Sequence, residues 1–449
     1  MASIFPRGIY YESYYLINFL TGLAGLFGLK KVIKYFFGTS VSKIFFVISI
    51  FSPLFFGHLS INPKDTIIAT ANFWIFYYII KYLKNSSNQI REKISIKIGL
   101  FIGLGAGVRI IFLGTLIPLI LFMIFEIFFF KKIFKKLDIK IFLKHIIYVI
   151  LISYILIIFC WPNVHSNIFL SPFIIFFQSL TDISQGVQSS FFSGIFYETV
   201  NTPWYYILLN IFFKVPVIYL FCFFLTFFSL SKIKKDYKND NFFYFIGVSL
   251  FILILPIVIS ILLNLKIHDG LRYFIYLIPL LNFIPAIYIS HLYKEFSLRR
   301  KIMFPVILSP FLVVFLMKFL LITPYQYSYL NLFNDFFLKK DSFENDYWGT
   351  SSKELIKKFS KKIHNKKSFN IAICGLNHIN VKYYLKRYGV NNYNFIDMDK
   401  KFDFAILVNR AISNKKSNLS ETCYSRFKDK KVFVVVNKSF IDLSKIVEY

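Results

Sequence analysis

Residues 241–265 read NFFYFIGVSLFILILPIVISILLNL and contain no charged side chain. Because a helix needs about 20 mainly apolar residues to cross a bilayer, this run predicts a membrane span. About ten such runs precede residue 323, which explains why 56% of the chain is hydrophobic. They centre on residues 13–29, 42–60, 66–83, 95–108, 110–130, 141–161, 203–230, 241–265, 273–292 and 302–322. The sequence therefore predicts a mainly α-helical, polytopic membrane bundle.

The basic residues alternate from loop to loop along this bundle. Lysine and arginine cluster within residues 30–43, 81–97, 131–144, 232–238 and 294–301, whereas the loop from Trp161 to Trp204 has neither. Membrane proteins keep these residues in cytoplasmic loops. The alternation therefore predicts an even number of spans with both termini outside. The net charge of +30 accompanies enrichment in Phe, Ile, Tyr and Asn, residues of A/T-rich codons, so we expect no nucleic-acid partner.

The chain changes character after Ile322. Strand-like runs occur at residues 369–374, 393–398, 402–408 and 431–437, and a helical pattern covers 381–388. We therefore predict two domains, a transmembrane domain over 1–322 and a small extracytoplasmic α/β domain over 323–449. Cys374 and Cys423 both lie in the second domain and could form a disulfide.

Polar residues recur at the predicted outer face. Asn62-Pro63-Lys64-Asp65 separates two spans, Arg109 lies between two short runs, and His268-Asp269-Gly270-Leu271-Arg272 precedes another span. Ionisable groups at membrane depth are costly and often mark a functional site. Alternatively, Lys64 and Arg272 could extend towards water while Asp65 caps its helix. By contrast, the glycines in Gly103-Leu-Gly105-Ala-Gly107 indicate close helix packing rather than a nucleotide loop.

These residues belong to a series of short motifs. The series comprises Ser52-Pro53 with Phe56-Gly57-His58, Asn62–Asp65, the glycine-rich run ending in Arg109, Phe192-Ser193-Gly194 with Thr202–Tyr206, Asp269–Tyr273, Pro324–Tyr327 and Asp346–Gly349. In order and spacing it resembles bacterial membrane glycosyltransferases related to the dolichyl-phosphate-mannose protein mannosyltransferases. The resemblance implies sugar transfer from a polyprenyl-phosphate donor to a lipid, glycan or protein acceptor, at the outer face of the bacterial cytoplasmic membrane and in its cell envelope.

The resemblance also implies roles for individual residues. A carboxylate, Asp65 or Glu12, would take the acceptor's proton in an inverting transfer. Lys64, Arg109 and Arg272 would stabilise the departing lipid phosphate. Asp65 could instead orient the acceptor or bind a divalent metal. The remaining candidate substrate contacts are His58, Asn62, Trp204, Tyr205, Asp269, Tyr325, Gln326, Asp346, Tyr347 and Trp348. Trp204 and Tyr205 could equally form part of an interfacial aromatic belt.

The chain departs from the family at its start. Members usually begin with an extra span and an external loop that carries the catalytic acid, whereas only Glu12 precedes the first span here. We therefore expect either a truncated or misassigned start, or a degenerate protein with little or no transfer. An in-frame span followed by an acidic loop, encoded upstream of Met1, would favour the enzyme. A transporter or lipid flippase, with broken helices and buried charges, is an alternative class. A non-catalytic membrane scaffold is another.

Overall fold

The computed structural model describes residues 10–135, 138–181, 189–237, 240–265, 267–299, 303–337, 341–363, 368–413 and 420–449. Up to residue 321 the chain is largely helical. Its helices are α1 (Tyr10–Ile50), α2 (Pro53–Ile61), α3 (Pro63–Lys84), α4 (Asn88–Val108), α5 (Phe112–Thr115), α6 (Ile117–Phe125), α7 (Ile139–Cys160), α8 (Ser171–Thr181), α9 (Tyr206–Lys214), α10 (Val217–Lys234), α11 (Phe242–Leu262), α12 (Ile278–Leu281), α13 (Phe283–Arg299) and α14 (Met303–Leu321). The prediction of a mainly helical, polytopic protein is confirmed.

Within the described ranges, six helical segments are long and apolar enough to cross a membrane. They are Ser13–Ile50, Pro63–Lys84, Phe112–Phe130, Ile139–Cys160, Val217–Lys234 and Phe242–Leu262. The other predicted runs also form helices, of which α4 is more polar and α12 and α13 are shorter. The run 203–230 is divided between α9 and α10, with Pro216 between them, because proline lacks the N–H that would continue the helical hydrogen bonds.

Two glycine features shape the first helices. The helix α1 is broken at Gly38, whose φ of 88° and ψ of 179° suit a residue without a Cβ. Further along, α4 packs closely on α7. A Cβ added at Gly99 would lie 2.9 Å from the Val149 carbonyl oxygen, and one at Gly103 would lie 2.6 Å from the Leu156 Cβ. The interpretation of the glycine-rich run as a helix-packing surface is confirmed.

The chain forms two compact units. The first comprises Met1–Ser184, Ile218–Leu263 and Arg272–Pro310, and the second comprises Gln185–Val217, Asn264–Leu271 and Phe311–Tyr449. The second unit thus combines the C-terminal region with two segments from earlier in the chain, Gln185–Val217 and Asn264–Leu271. The predicted functional boundary between residues 322 and 323 stays a prediction.

A five-stranded mixed sheet forms the core of the second unit. Its strands are ordered β4 (Tyr393–Phe395), β3 (Phe369–Cys374), β5 (Phe404–Val408), β9 (Ile441–Glu448) and β8 (Lys431–Lys438). The strand β3 pairs in parallel with β4 and β5, and β9 pairs antiparallel with β5 and β8. Four of these strands were predicted from the sequence, and β9 was missed. The predicted α/β character of the C-terminal region is confirmed.

Short elements complete the second unit. They are the helices α15 (Leu332–Phe337), α16 (Ser352–Lys362), α17 (His378–Arg387) and α18 (Cys423–Arg426), and the antiparallel pairs β1 (Ser189–Phe192) with β2 (Ile195–Glu198) and β6 (Ala411–Ser413) with β7 (Ser420–Thr422). A disulfide joins Cys374, at the end of β3, to Cys423, at the start of α18, with 5.7 Å between their Cα atoms. The pairing that the sequence left open is therefore present.

Candidate functional site

The first candidate site begins at the amino end of α3. Pro63 occupies the first helical turn, where its missing N–H is not needed. The side-chain oxygen of Asn62 accepts a hydrogen bond from the Asp65 backbone N–H at 3.2 Å. In return, the Asn62 amide donates to the Asp65 carboxylate at 2.6 Å. Asn62, rather than Asp65, therefore caps the helix, and the reciprocal bonds hold the Asp65 carboxylate in one orientation.

Two arginines join this carboxylate in the first unit. Arg109 lies where α4 ends in an extended conformation, and its Nη1 is 3.4 Å from Asp65 Oδ1. The Arg109 guanidinium also lies 5.7 Å from the centre of the Tyr273 ring. Arg272 contacts the same ring at 4.6 Å and donates to the Tyr273 hydroxyl at 2.6 Å. We call Asn62, Asp65, Arg109, Arg272 and Tyr273 the Asp65 cluster.

The burial of the Asp65 cluster is uneven. Asp65 is only 7% exposed, whereas the Arg109 side chain is 30% exposed and accessible to a ligand. One carboxylate and two guanidiniums give the cluster a net positive charge, which suits a phosphate group. Asp65 already uses one oxygen for Arg109 and the other for Asn62. These contacts favour an acid that orients other groups over one that serves as a metal ligand.

The other residues predicted near this cluster differ in their surroundings. Lys64 is exposed and, among the residues that the structure describes, has no ion-pair partner. It precedes Asp65 in the helix by one position, so the two side chains leave the helix about 100° apart. His58 is fully buried, with Nδ1 3.2 Å from the Asn62 amide nitrogen. Glu12 belongs to α1, but its side chain lies outside the described residues.

A second polar cluster lies within the second unit, around Asp269. Asp269 is 4% exposed and has a φ of 57°, and its Oδ1 accepts from Arg410 Nη2 at 3.2 Å. The His268 Nε2 lies 3.8 Å from the other carboxylate oxygen. Arg410 also donates to the Tyr347 backbone carbonyl at 2.7 Å. Asp269 and Tyr347, two predicted substrate residues, are therefore joined through Arg410, which the sequence did not reveal.

Lys214 and Glu344 are buried in the same unit. Burial lowers the pKa of the Lys214 ammonium to about 8, although Asp269 and Glu344 oppose the shift. Burial raises the pKa of the Glu344 carboxyl to about 7, against a hydrogen bond from the Ala411 backbone N–H. Within the described ranges, Lys214 Nζ makes no hydrogen bond and lies 5.9 Å from the centre of the Tyr347 ring. The cluster is thus rich in charges held in a poorly solvated setting.

The predicted residues of the C-terminal motifs mostly contact one another. Asp346 is fully buried and accepts hydrogen bonds from the Tyr327 hydroxyl, the Thr350 N–H at 2.8 Å and the Ser351 N–H at 3.0 Å. The two backbone donors, at Thr350 and Ser351, lie just before α16, so Asp346 stabilises the start of that helix. Burial raises the pKa of Asp346, while the hydrogen bonds it accepts lower it. Such a saturated carboxylate has little capacity left for a substrate.

The remaining candidate substrate residues, which have aromatic or amide side chains, differ in their contacts and exposure. The Tyr325 hydroxyl donates to Glu354 at 3.1 Å, and the Gln326 amide donates to the Thr323 hydroxyl at 2.8 Å. Trp348 packs against the Tyr327 ring, with 6.1 Å between ring centres. Trp204 is 66% exposed and contacts the Tyr205 ring edge-on. Trp204 is therefore the most accessible of these side chains.

The sequence missed several members of the two clusters. Tyr273 could have been inferred, because it directly follows Arg272 in the motif. Lys214 also left a signal, as a lone lysine within the apolar run 203–230. Glu344 and Arg410 gave none, since each is far in sequence from Asp269. Across the described part of the chain, no group of three His, Cys, Asp or Glu side chains is arranged to hold a metal ion.

Comparison with known proteins gives limited information. No family model and no curated protein matches the chain by sequence. Among solved structures, the chain is similar to a crystal structure of ArnT from Cupriavidus metallidurans in the apo state, with 10% sequence identity and a TM-score of 0.48. The likeness covers 96% of this chain and 83% of that chain.

Proposed function

We propose that the protein is an integral membrane glycosyltransferase that uses a polyprenyl-phosphate-linked sugar as its donor. The observation that carries this proposal is the Asp65 cluster, in which α3, the end of α4 and residues 272–274 contribute one carboxylate and two guanidiniums. The sequence motifs of these three segments also mark them as candidates for the site. A polytopic helical fold supplies the setting that a lipid-linked donor requires.

The proposed reaction is an inverting transfer. The acceptor hydroxyl attacks the anomeric carbon, a new bond forms between them, and the bond to the phosphate oxygen breaks. Asp65 orients the acceptor and receives its proton. Negative charge grows on the departing phosphate, where Arg109, Arg272 and Lys64 stabilise it. Tyr273 is a positioning residue, because both guanidiniums contact its ring.

We further propose that the second unit lies outside the cytoplasm. The absence of lysine and arginine between Trp161 and Trp204 supports this orientation. The Cys374–Cys423 disulfide supports it as well, since disulfides persist in oxidising compartments. The test uses two exposed acids replaced by cysteine in a Cys160→Ser background. A membrane-impermeant thiol reagent should label Glu198→Cys and spare Asp240→Cys in intact cells, and the reverse pattern would invert the topology.

The activity test uses purified protein in liposomes, with polyprenyl-phosphate-mannose as the first donor and a membrane lipid and glycan extract as acceptor. Release of polyprenyl phosphate and labelling of the extract are both measured. Asp65→Asn and Arg272→Gln should each lower transfer at least about 100-fold, the scale expected for losing charge stabilisation in a transition state. Arg387→Gln is the matched control, because Arg387 Nη1 also contacts a tyrosine hydroxyl, that of Tyr383, at 3.4 Å.

The outcomes separate the functional classes. Transfer that depends on Asp65 and Arg272 but not on Arg387 supports the glycosyltransferase. Movement of polyprenyl phosphate across the bilayer without transfer of the sugar would favour a lipid transporter instead. Equal loss in all three variants would point to impaired folding, which chromatography of the purified proteins would reveal. Full transfer by Asp65→Asn and Arg272→Gln would refute the assignment of the Asp65 cluster.

A further inference from the structure

A basic cavity of about 400 Å³ opens between α1 and α3 in the first unit. Its lining includes three lysines, two tyrosines and an isoleucine, namely Lys31, Lys81, Lys84, Tyr35, Tyr77 and Ile80. We propose that this cavity binds the phosphate headgroup of an anionic phospholipid. The proposed sugar transfer does not require such a site, so the two proposals stand or fall separately.

The charge of the cavity is unbalanced. None of its lining residues is acidic, and across the described part of the chain Lys31, Lys81 and Lys84 have no ion-pair partner. Lys31 Nζ lies 4.7 Å from the centre of the Trp74 ring, and Lys84 Nζ lies 4.8 Å from that of Tyr35. Ring contacts of this kind orient an ammonium but do not neutralise it. Two oriented cations and a third lysine, Lys81, therefore line a space that an anion fits.

A neighbouring cavity shows the contrast. It has a volume of about 390 Å³, shares Tyr35 with the first cavity and is lined by Lys34, Lys294 and Asp236. Here an acid accompanies the lysines, and Asp236 is also 2.6 Å from His291 Nδ1. The balance of charge in this second cavity gives less reason for an anion to bind. The proposal is therefore confined to the cavity with the three lysines.

The position along α3 favours a lipid over a free anion. Asp65 lies in the first turn of α3 and Lys84 in the last, so a rise of 1.5 Å per residue separates them by about 28 Å. This is close to the hydrocarbon thickness of about 30 Å. If Asp65 lies at one membrane surface, the lysines lie at the headgroup level of the other. Basic pockets between membrane helices on the cytoplasmic side commonly hold anionic headgroups.

The apolar part of the cavity supports the same ligand. Ile80 is buried, and the half-buried rings of Tyr35 and Tyr77 line the space beside it. A phospholipid presents a phosphate next to glycerol and acyl carbons, so it can contact lysines and rings together. Inorganic phosphate has no carbon atoms that could contact the apolar part of the cavity. The lysines can therefore bind the phosphate of a lipid or a free phosphate, but the cavity as a whole is better matched to the lipid.

The experiment measures binding of phosphatidylglycerol and phosphatidylcholine to the full-length protein by native mass spectrometry from detergent. Each lysine near an anionic lipid changes affinity about fivefold, so Lys81→Gln with Lys84→Gln should weaken phosphatidylglycerol binding about 25-fold. Lys81→Arg with Lys84→Arg keeps the charge and should keep the binding. Lys30→Gln is the matched control, because Lys30 lies on α1 beside Lys31 and its Nζ contacts the Phe46 ring at 4.6 Å.

Three results would support the proposal together: preference for phosphatidylglycerol over phosphatidylcholine, its loss in the glutamine pair, and its retention in the arginine pair and in Lys30→Gln. Inorganic phosphate and glycerol phosphate at millimolar concentration provide the second arm. Displacement of the lipid by either soluble anion would show that a free phosphate is the ligand and overturn the lipid assignment. Unchanged lipid preference in the glutamine pair, or equal loss in Lys30→Gln, would also overturn it.

Discussion

Replacing Lys214 by methionine should stabilise the second unit. Lys214 is 4% exposed, and no hydrogen bond to its ammonium is found within the described ranges. The amide oxygen of Asn210, one helical turn earlier, is likewise buried without a hydrogen-bond partner there. Methionine has a similar length and volume but carries no charge, so it can fill the same space without requiring solvation.

The magnitude follows from the pKa of Lys214. Burial lowers it from an ordinary value of 10.5 to about 8, and such a fall corresponds to about 3 kcal/mol against the charged form. Below pH 8 the lysine is charged in both states, so the folded protein bears the full penalty. Between pH 8 and 10.5 only the unfolded chain keeps the proton, and stability rises with pH. Lys214→Met should therefore add about 3 kcal/mol at pH 7, with a gain that shrinks as pH rises through that window.

The assay is thermal unfolding of the full-length protein, followed by the fluorescence of Trp348 with the other tryptophans replaced by phenylalanine. A gain of about 3 kcal/mol should raise the Tm by about 6–12 °C at pH 7 for a unit of this size. Lys386→Met, at an exposed position on α17, is the control and should change little. A lower Tm for Lys214→Met at pH 7, or a gain that is the same at pH 7 and pH 10, would refute the reasoning.

Three further outcomes are expected from the second unit. Burial raises the pKa of Glu344 from 4.5 to about 7. The free energy of unfolding should therefore fall by about 3 kcal/mol as pH rises from 4.5 to 7. Glu344→Gln should abolish this pH dependence in unfolding measured from pH 4 to 8. Arg410→Met leaves Asp269 buried without its 3.2 Å partner and should cost about 3 kcal/mol in the same measurement. Replacing Cys374 and Cys423 by serine opens a link across 49 residues and should cost about 4 kcal/mol, whereas adding reductant to the double variant should change nothing.

The sequence alone predicted the helical and strand elements well where their physical signal is local. A long apolar run has few alternatives to a membrane helix, so the runs around α3, α7 and α11 were predicted closely. The strand at Phe369–Cys374 was likewise found with its bounds. The strand β9 was missed because charged residues interrupt the apolar residues of Ile441–Glu448, so the segment resembles part of the surface. Its partner strands on both sides supply the hydrogen bonds that make it a strand.

For the candidate site, the sequence could supply the residues but not their distances. The motifs selected Asp65, Arg109 and Arg272, because charged side chains within apolar surroundings stand out. Only the packing of α3 against α4 brings Arg109 within 3.4 Å of Asp65, and only the fold brings the Arg109 guanidinium to the Tyr273 ring. Asp346 shows the opposite case, since its motif suggested substrate binding and its hydrogen bonds favour a structural role.

The sequence by itself therefore determined that the protein is mainly helical and polytopic, because the period and length of apolar runs depend only on residues that are close in sequence. Tertiary structure decided which polar residues meet. Arg410 and Asp269 are 141 positions apart, and Ser190 and Glu344 are 154 apart, yet each pair is in contact within the second unit. Such contacts arise because a buried charge must find a partner wherever the fold provides one, and no local pattern records which partner that is.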